Sequence, residues 1–267
     1  MEAQVDLPDT RSGLYLYCLF TGDERPAEPG IDDREPTRVV RYRELNALVS
    51  QVPMAEFGGQ ALERHCLDPH WLREKAQHHD RVIRSVMQNG PVLPIRFGTL
   101  YTREQRLRNL LASHYQDFRT FLESVTGAAE WGIKVYAGGY SKELPSTDAS
   151  AKSRLEGANP GREYLMRKKM AKQQSGTAHS DHAIKPIIER LSVLAMQAQR
   201  NNLLSCRATG MKEEMVFNAV FLVADDGIDC FRKQLDELES EYRELGLQFQ
   251  LSGPWAPYNF CPTVAES

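Results

Sequence analysis

The order of elements predicted after residue 130 limits the possible folds of this chain more than any other feature. Four segments have the pattern of strands: Trp131–Tyr136, Leu203–Thr209, Met215–Val223 and Leu247–Ser252. Between them, residues 160–201 and 228–245 have the apolar spacing of helices, the first helix being basic at its start and bent near Ser175. Repeats of about 2 residues indicate strands and repeats of about 3.6 indicate helices. The predicted order is therefore β-α-β-β-α-β.

This order is typical of a ferredoxin-like domain, whose first and third strands lie in the middle of the sheet. The predicted third strand agrees, because it is apolar on nearly both faces, at Met215, Val216, Phe217, Ala219, Val220, Phe221, Leu222 and Val223. The fourth is apolar on one face only, as expected of an edge strand. Two helices cover one face of such a sheet, so we expect a second apolar face to need a cover from the N-terminal half, the C-terminal tail or another molecule.

The first half of the chain predicts strands followed by helices. Gly13–Phe20 is apolar on both faces, as in a central strand, and Arg38–Tyr42 with Leu45–Val52 has the pattern of a hairpin. Asp68-Pro69 predicts the start of a helix, because aspartate accepts from free N–H groups and proline loses no hydrogen bond at the first helical position. Another helix is predicted from Thr102, with a capping box that ends at Gln105.

These patterns predict an α+β protein of two domains. The N-terminal mixed α+β domain covers residues 1–128, and the ferredoxin-like βαββαβ domain with an aromatic C-terminal tail covers residues 129–267. A length of 267 residues agrees, since domains average roughly 150 residues.

Composition excludes several classes of protein. The net charge of −3 argues against a dedicated nucleic-acid binder, which would be visibly basic. The longest apolar run, Leu14–Phe20, is far shorter than the roughly 20 residues of a membrane-spanning helix, so no membrane partner is expected. The acidic start of the chain lacks the pattern of a secretory signal, and we expect a cytoplasmic protein with its five cysteines reduced.

Catalytic motifs are not found in the sequence. It contains no G-x-S-x-G elbow, no Walker A loop and no G-x-G-x-x-G after a strand, so neither catalytic residues nor a cofactor are predicted. His65, His70 and His78 lie close together in the chain, but zinc sites want four ligands, usually in two short-spaced pairs. His79 falls on the apolar stripe of its helix and is expected in the core, while His78 is expected to face solvent. A metal-assisted enzyme that uses His65, His70 and His78 remains an alternative.

Charged residues form three features with two interpretations each. The basic run Arg162–Lys172 and the acidic run Asp236–Glu244 are either solvated helix faces or patches that steer a charged protein partner. Arg96 stands among apolar residues in Pro94–Thr99. Because an unpaired buried charge is very costly, Arg96 either pairs with an acid inside the domain or contacts a ligand or partner.

The C-terminal segment Gly253–Phe260 combines three aromatic residues with two prolines. Proline stiffens an extended chain, so little conformational entropy is lost when such a segment binds. It either docks on the sheet of its own domain or stays exposed as a binding tail. The candidate contact residues for a partner are Arg96, Trp255, Pro257, Tyr258 and Phe260.

Five motifs, in this order, resemble the gas vesicle protein GvpL/GvpF family over nearly the whole chain. They are Leu14-Tyr15-Leu16-Tyr17, Asn46-Ala47-Leu48-Val49-Ser50, Pro94-Ile95-Arg96-Phe97-Gly98-Thr99, Glu130-Trp131-Gly132-Ile133-Lys134-Val135-Tyr136, and Gly253-Pro254-Trp255-Ala256-Pro257-Tyr258-Asn259-Phe260. Ala256 departs from the family pattern, which often has a second proline there.

The resemblance implies an accessory or minor structural protein of gas vesicles with two α+β domains and no enzymatic activity. Its implied partners are the small hydrophobic shell protein and other gas vesicle accessory proteins, and its implied location is the gas vesicle in the cytoplasm. We expect the uncovered sheet face and the aromatic tail to contact the shell protein. A small-molecule-binding regulatory protein is a further alternative, since fold alone does not determine function.

Overall fold

The structure, a computed structural model, describes residues 12–22, 28–137 and 184–262. By contacts, the chain divides into two compact units: residues 1–130 with 253–267, and residues 131–252. Each unit contains an antiparallel sheet with helices, so the α+β class is confirmed. The predicted domain boundaries, 1–128 and 129–267, stay a prediction; the contact grouping differs from them by placing residues 253–267 with the first unit.

The sheet of the first unit is built around the predicted central strand. Its strands are β1 (Ser12–Phe20), β2 (Arg38–Tyr42), β3 (Leu45–Pro53), β4 (Val92–Pro94) and β5 (Leu100–Tyr101). The order is β2-β3-β1-β4, and β5 also pairs with β1. β1 and β3 are antiparallel, with Leu14 opposite Gln51 and Phe20 opposite Asn46. Consecutive side chains of β1 from Tyr15 onward are buried, as its two-sided apolar pattern predicts.

The described residues of the first unit contain five α-helices, three between β3 and β4 and two after β5: α1 (Met54–Phe57), α2 (Gly59–His65), α3 (Pro69–Met87), α4 (Glu104–Ser113) and α5 (Tyr115–Ser124). The predicted start of α3 is confirmed, because the Asp68 carboxylate accepts from the N–H of His70 at 2.9 Å. The prediction of a capping box at Thr102 is wrong. α4 has Arg103 at its N-cap without a side-chain hydrogen bond, and the Glu104 carboxylate instead binds Arg108 and Arg38.

The second sheet has four strands: β6 (Ala128–Ala137), β7 (Gln197–Arg200), β8 (Glu214–Ala224) and β9 (Leu247–Trp255). Its order is β7-β8-β6-β9, so the first and third of these strands are central and the other two are edges. Among the described residues, three α-helices accompany them: α6, described over residues 184–192, α7 (Cys206–Thr209) and α8 (Ile228–Tyr242). The predicted basic helix from residue 160 and the run Arg162–Lys172 lie outside the described residues.

The second strand of this sheet lies earlier in the chain than predicted. The helix ends at residue 192 instead of 201, and β7 occupies Gln197–Arg200. The predicted strand Leu203–Thr209 is wrong, because Cys206–Thr209 forms α7, which Ser205 caps and Gly210 ends at φ 70°. All four side chains of β7 are exposed, so the strand is held by backbone pairing with β8 and carries no apolar pattern.

The two central strands of the second sheet are covered on both faces. On β8, Phe217 and Phe221 lie on one face, and Val220 and Leu222, on the other, are 7% and 0% exposed. On β6, Ile133 and Val135 are fully buried, as is most of the opposite face of that strand. The prediction of an uncovered apolar sheet face is therefore wrong for these strands, because no apolar surface remains there for a partner to bury.

Candidate functional site

Two tyrosines, Tyr15 and Tyr17, and a histidine, His79, pack their rings together in the buried core of the first unit. Nε2–H of His79 donates to the Ile95 carbonyl at 3.0 Å, which leaves Nδ1 to accept from the Tyr15 hydroxyl at 3.0 Å. That hydroxyl in turn accepts from the N–H of Gly98 at 3.1 Å. Burial lowers the pKa of His79 to about 4, so the ring is neutral at pH 7. The cluster therefore fixes the segment between β4 and β5, and His79 lies in the core as predicted.

The second tyrosine of the cluster holds the chain just before β2. The Tyr17 hydroxyl accepts from the N–H of Ile31 at 2.7 Å and lies 2.7 Å from Ser50 Oγ. Burial raises the pKa of Tyr17 to about 12, so its hydroxyl stays protonated at pH 7.

His78, the neighbour of His79 on α3, is buried as well, with Nε2–H donating to the Pro29 carbonyl at 3.1 Å. The prediction that His78 faces solvent is wrong, because the segment that contains Pro29 covers the His78 side of α3.

The histidines of the metal alternative have separate environments. His65 is exposed and stacks on Trp71, with ring centroids 5.1 Å apart. His70 is exposed at the start of α3, whereas His78 is buried. Within residues 12–22, 28–137 and 184–262, no three His, Cys, Asp or Glu side chains are grouped so as to hold a metal ion. The structure thus lends no support to a metal centre at His65, His70 and His78.

The C-terminal segment packs onto the first unit as a strap, which we define as residues Trp255–Pro262. Ala256 is fully buried in the core that also contains β1. The Trp255 ring lies 4.3 Å from the guanidinium carbon of Arg84, a cation–π contact. Arg84 Nε is 2.8 Å from Asp80 Oδ2, an ion pair whose angle falls short of a hydrogen bond. The C-terminal segment therefore docks, as one of its two interpretations predicted, and it docks onto the first unit.

Polar contacts fasten the far end of the strap. The N–H and side-chain amide of Asn259 donate to the Glu130 carboxylate at 2.9 and 2.6 Å. Burial raises the pKa of Glu130, and the two donors from Asn259 oppose that rise. The Cys261 thiol donates to the Pro257 carbonyl at 3.3 Å, and burial raises its pKa to about 12. A thiol of this kind is protonated and unreactive at pH 7.

The predicted contact residues of the strap are partly accessible. Pro257 is buried, whereas Trp255, Tyr258 and Phe260 are half-buried. Tyr258 packs against the core of the first unit, and burial raises the pKa of its hydroxyl. The three aromatic residues are therefore each partly exposed to solvent, and Trp255 and Tyr258 also contact the rest of the first unit.

Arg96 lies next to this strap and is exposed. Burial raises the pKa of Cys261, and the positive charge of Arg96 opposes that rise, as expected of neighbouring groups in the first unit. In the described part of the chain, no carboxylate lies within ion-pair distance of Arg96. The sequence patterns therefore selected Arg96 and the strap, which the fold brings together. They did not predict the hydrogen bonds between Glu130 and Asn259, because no local signal in the sequence marks two residues so far apart.

Nearly the whole chain matches a known protein family. The family described as gas vesicle synthesis protein GvpL/GvpF covers residues 13–262. Gas vesicle protein L of Streptomyces sp. (strain CB03234) is 30% identical over 258 residues, 94% of each chain, and gas vesicle protein F of Haloferax mediterranei is 26% identical over 92% of each chain.

Solved structures agree on the fold. The crystal structure of GvpF from Anabaena sp. PCC7120 has a TM-score of 0.71 at 18% identity, covering 96% of this chain and 98% of that one. GvpF from Microcystis aeruginosa has a TM-score of 0.65 at 17% identity, covering 94% and 99%. Within the described ranges, no helix combines the length and apolar character that crossing a membrane requires.

The mixed α+β fold is thus shared with solved gas vesicle proteins, and the sequence matches their family. The chain belongs to the gas vesicle synthesis protein GvpL/GvpF family, and this membership supports a role in gas vesicle formation. The resemblance noted in the sequence is confirmed.

Proposed function

We propose that this protein acts in gas vesicle assembly as a non-enzymatic partner of the small hydrophobic shell protein and of other gas vesicle accessory proteins. The observation that carries the proposal is the match of the GvpL/GvpF family over residues 13–262. A shell subunit that is largely apolar would aggregate in water, so a partner that binds it before assembly is physically useful. The proposed location is the cytoplasm and the gas vesicle.

The contact surface that we propose consists of Arg96 and the strap residues Trp255, Tyr258 and Phe260; Pro257, the other candidate of the strap, is buried and stiffens the strap without reaching the partner. Arg96 supports it as an exposed charge with no acid partner in the described residues, and half-buried aromatic residues supply rigid apolar area. Exposed apolar side chains also flank the edge strand β7, at Val193, Met196, Leu203 and Leu204, and they offer a second surface of suitable chemistry.

A point variant tests the first surface better than removal of the strap, because Ala256 is fully buried and truncation would disturb the core. We expect Arg96→Gln to lower the amount of co-expressed shell protein that co-purifies with this protein by about tenfold, a typical effect of losing a charged hydrogen bond. Arg73→Gln, an exposed arginine on α3, is the matched control and should stay within about twofold. Equal losses in both variants would contradict the proposed surface.

Flotation tests the proposed function itself. Vesicles are floated from a lysate, washed and probed for this protein. Detection in the buoyant fraction supports a structural role, and detection only in the soluble fraction, with shell protein bound, supports a chaperone-like role. Formation of normal vesicles in cells that lack the protein and its relatives would contradict both.

For the second sheet, we propose the ferredoxin-like architecture. The order β7-β8-β6-β9 supports it, since the strands that come first and third in the chain are central. The alternating β-α-β-β-α-β sequence of elements supports it as well, with α6 and α8 as the two main helices.

A further inference from the structure

A polar cleft of about 370 Å³ opens in the first unit beside the turn between β2 and β3. Charged side chains from that hairpin and from α5 line it: Arg41, Arg43, Glu44, Arg119 and Glu123. Arg41 and Arg119 have interaction partners within the protein, so Arg43 is the guanidinium that the cleft can offer to a ligand. The cleft is open to solvent and belongs to neither the strap nor the tyrosine–histidine cluster.

Arg43 occupies an unusual backbone position in this cleft. β2 ends at Tyr42 and β3 begins at Leu45, so Arg43 is the first of two turn residues, and its φ is 53°. Two-residue hairpin turns favour glycine, asparagine or aspartate at such angles, and another residue is strained by about 1 kcal/mol. An arginine here therefore stabilises the turn less than the usual residues would.

The guanidinium of Arg43 is held in place by aromatic rings and not by acids. Its central carbon lies 5.5 Å from the ring centre of Tyr42 and 5.0 Å from that of Tyr115. Stacking of this kind uses the flat faces of the guanidinium and leaves its N–H groups at the edge. Across the described residues, no carboxylate pairs with Arg43 and no hydrogen bond satisfies its N–H groups.

The two glutamates of the cleft are committed to another arginine. Glu123 Oε1 lies 2.8 Å from Arg119 Nε, and Glu44 Oε2 lies 3.5 Å from the same atom. Glu44 also accepts from the Tyr115 hydroxyl at 3.2 Å. The charge of Arg119 is thus neutralised by the two glutamates. The guanidinium of Arg43, in contrast, is held by two tyrosine rings and has no acid partner among the described residues.

We propose that this cleft binds a carboxylate, supplied by an acidic side chain of a partner protein, with Arg43 as its bidentate ligand. A single guanidinium without an acid partner matches a monoanionic carboxylate better than a dianionic phosphate, which the two glutamates would repel. The volume lies at the lower end of ligand pockets, enough for an acidic side chain with adjoining backbone and more than a single ion needs. The inference does not depend on the proposed shell-protein contact.

Calorimetric titration of the full chain tests the proposal with a blocked tri-glutamate peptide. We expect it to bind at least tenfold more tightly than the matched tri-glutamine peptide. Arg43→Gln should weaken the glutamate peptide about tenfold, whereas Arg106→Gln, an exposed arginine on α4 with the same change of net charge, should stay within about twofold. Equal weakening in the two variants would show a general charge effect and overturn the proposal.

A gain of affinity provides a second readout that does not depend on Arg43. Glu123→Gln keeps the shape of the side chain but frees Arg119, so glutamate-peptide binding should tighten several-fold. Inorganic phosphate and acetate separate the possible sources of the anion. Phosphate that binds more tightly than the glutamate peptide, acetate that binds as tightly as the peptide, or no binding of the peptide at all overturns the assignment to a partner's acidic side chain.

Discussion

At the scale of single residues, the first unit depends on a neutral histidine. His79 makes two hydrogen bonds with opposite roles, accepting from Tyr15 and donating to the Ile95 carbonyl. A protonated ring could no longer accept, and its charge would be buried at 3% exposure. The same ring stacks on Tyr17 with centroids 5.7 Å apart. Stability should therefore depend on the protonation of this one side chain.

The pH dependence of unfolding tests this role. The pKa of His79 is about 4 when folded and about 6.5 when unfolded, so its contribution is complete above about pH 6.5 and is lost as the pH falls toward 4. The free energy of unfolding should drop by about 2 kcal/mol more between pH 7 and pH 5 in the wild type than in His79→Gln, which keeps a donor and an acceptor. Urea denaturation measures this difference.

The exposed His70 provides the control for that experiment. His70→Gln should retain the pH dependence of the wild type. If His79→Gln retains it as well, the fall in stability at low pH comes from other groups.

At the scale of elements, local capping decided some boundaries and tertiary contacts decided others. α3 begins where Asp68-Pro69 places it, with the carboxylate on the N–H of His70. α4 does not use Thr102: Arg103 is at its N-cap without a side-chain hydrogen bond, and Gln105, the expected partner of Thr102, donates to Asn109 on its own helix at 2.9 Å. Glu104 joins the start of α4 to β2 through Arg38, so a tertiary contact holds this helix end where no side-chain cap does.

Loss of the α3 cap should have a modest and specific cost. We expect Asp68→Ala to lower the free energy of unfolding by about 1 kcal/mol, because one N–H at the helix start loses its acceptor. Urea denaturation at neutral pH measures the change. Asp236→Ala, an exposed position within α8, should change stability by less than about 0.5 kcal/mol. Equal effects of both substitutions would show that the cap contributes nothing beyond a surface charge.

At the scale of the whole molecule, the first unit is completed by the last part of the chain. Ala256 enters the core around Tyr15 and Tyr17, and Asn259 binds Glu130 at a sequence separation of 129. Contacts so distant in sequence carry a large loop-closure cost and form late in folding. The strap is therefore a structural part of the first unit as well as a proposed contact surface.

Removal of the Asn259 side chain should destabilise the protein in a pH-dependent way. Asn259→Leu takes one donor from a buried carboxylate, so the pKa of Glu130 rises further and the loss at pH 7 should be about 2 kcal/mol. A carboxyl with a raised folded pKa costs stability only above its unfolded pKa of about 4.3, so the loss should shrink toward pH 4. Denaturation at both pH values measures it, and the exposed Asn109→Leu should show no such trend.

The sequence by itself determined the elements whose signals are local. The two-sided apolar run of β1, the Asp68-Pro69 start of α3 and the stripe of α8 each specify their structure through neighbouring residues, and all three are where the patterns placed them. The aromatic residues and Arg96 could be selected as candidates for the same reason, because their types are unusual where they stand. Family membership also follows from short motifs in order.

The tertiary structure alone decided where those elements find their partners. β7 has a polar, exposed sequence and is a strand only because β8 offers it backbone hydrogen bonds. The strap docks on the first unit because Ala256 and Tyr258 find an apolar core there, and Arg43 is presented because two tyrosines from separate elements meet over it. The pairing of β7, the docking of the strap and the position of Arg43 each depend on contacts between residues far apart in the chain. The free energy of these contacts produces no periodic pattern in the local sequence, so the sequence alone does not predict them.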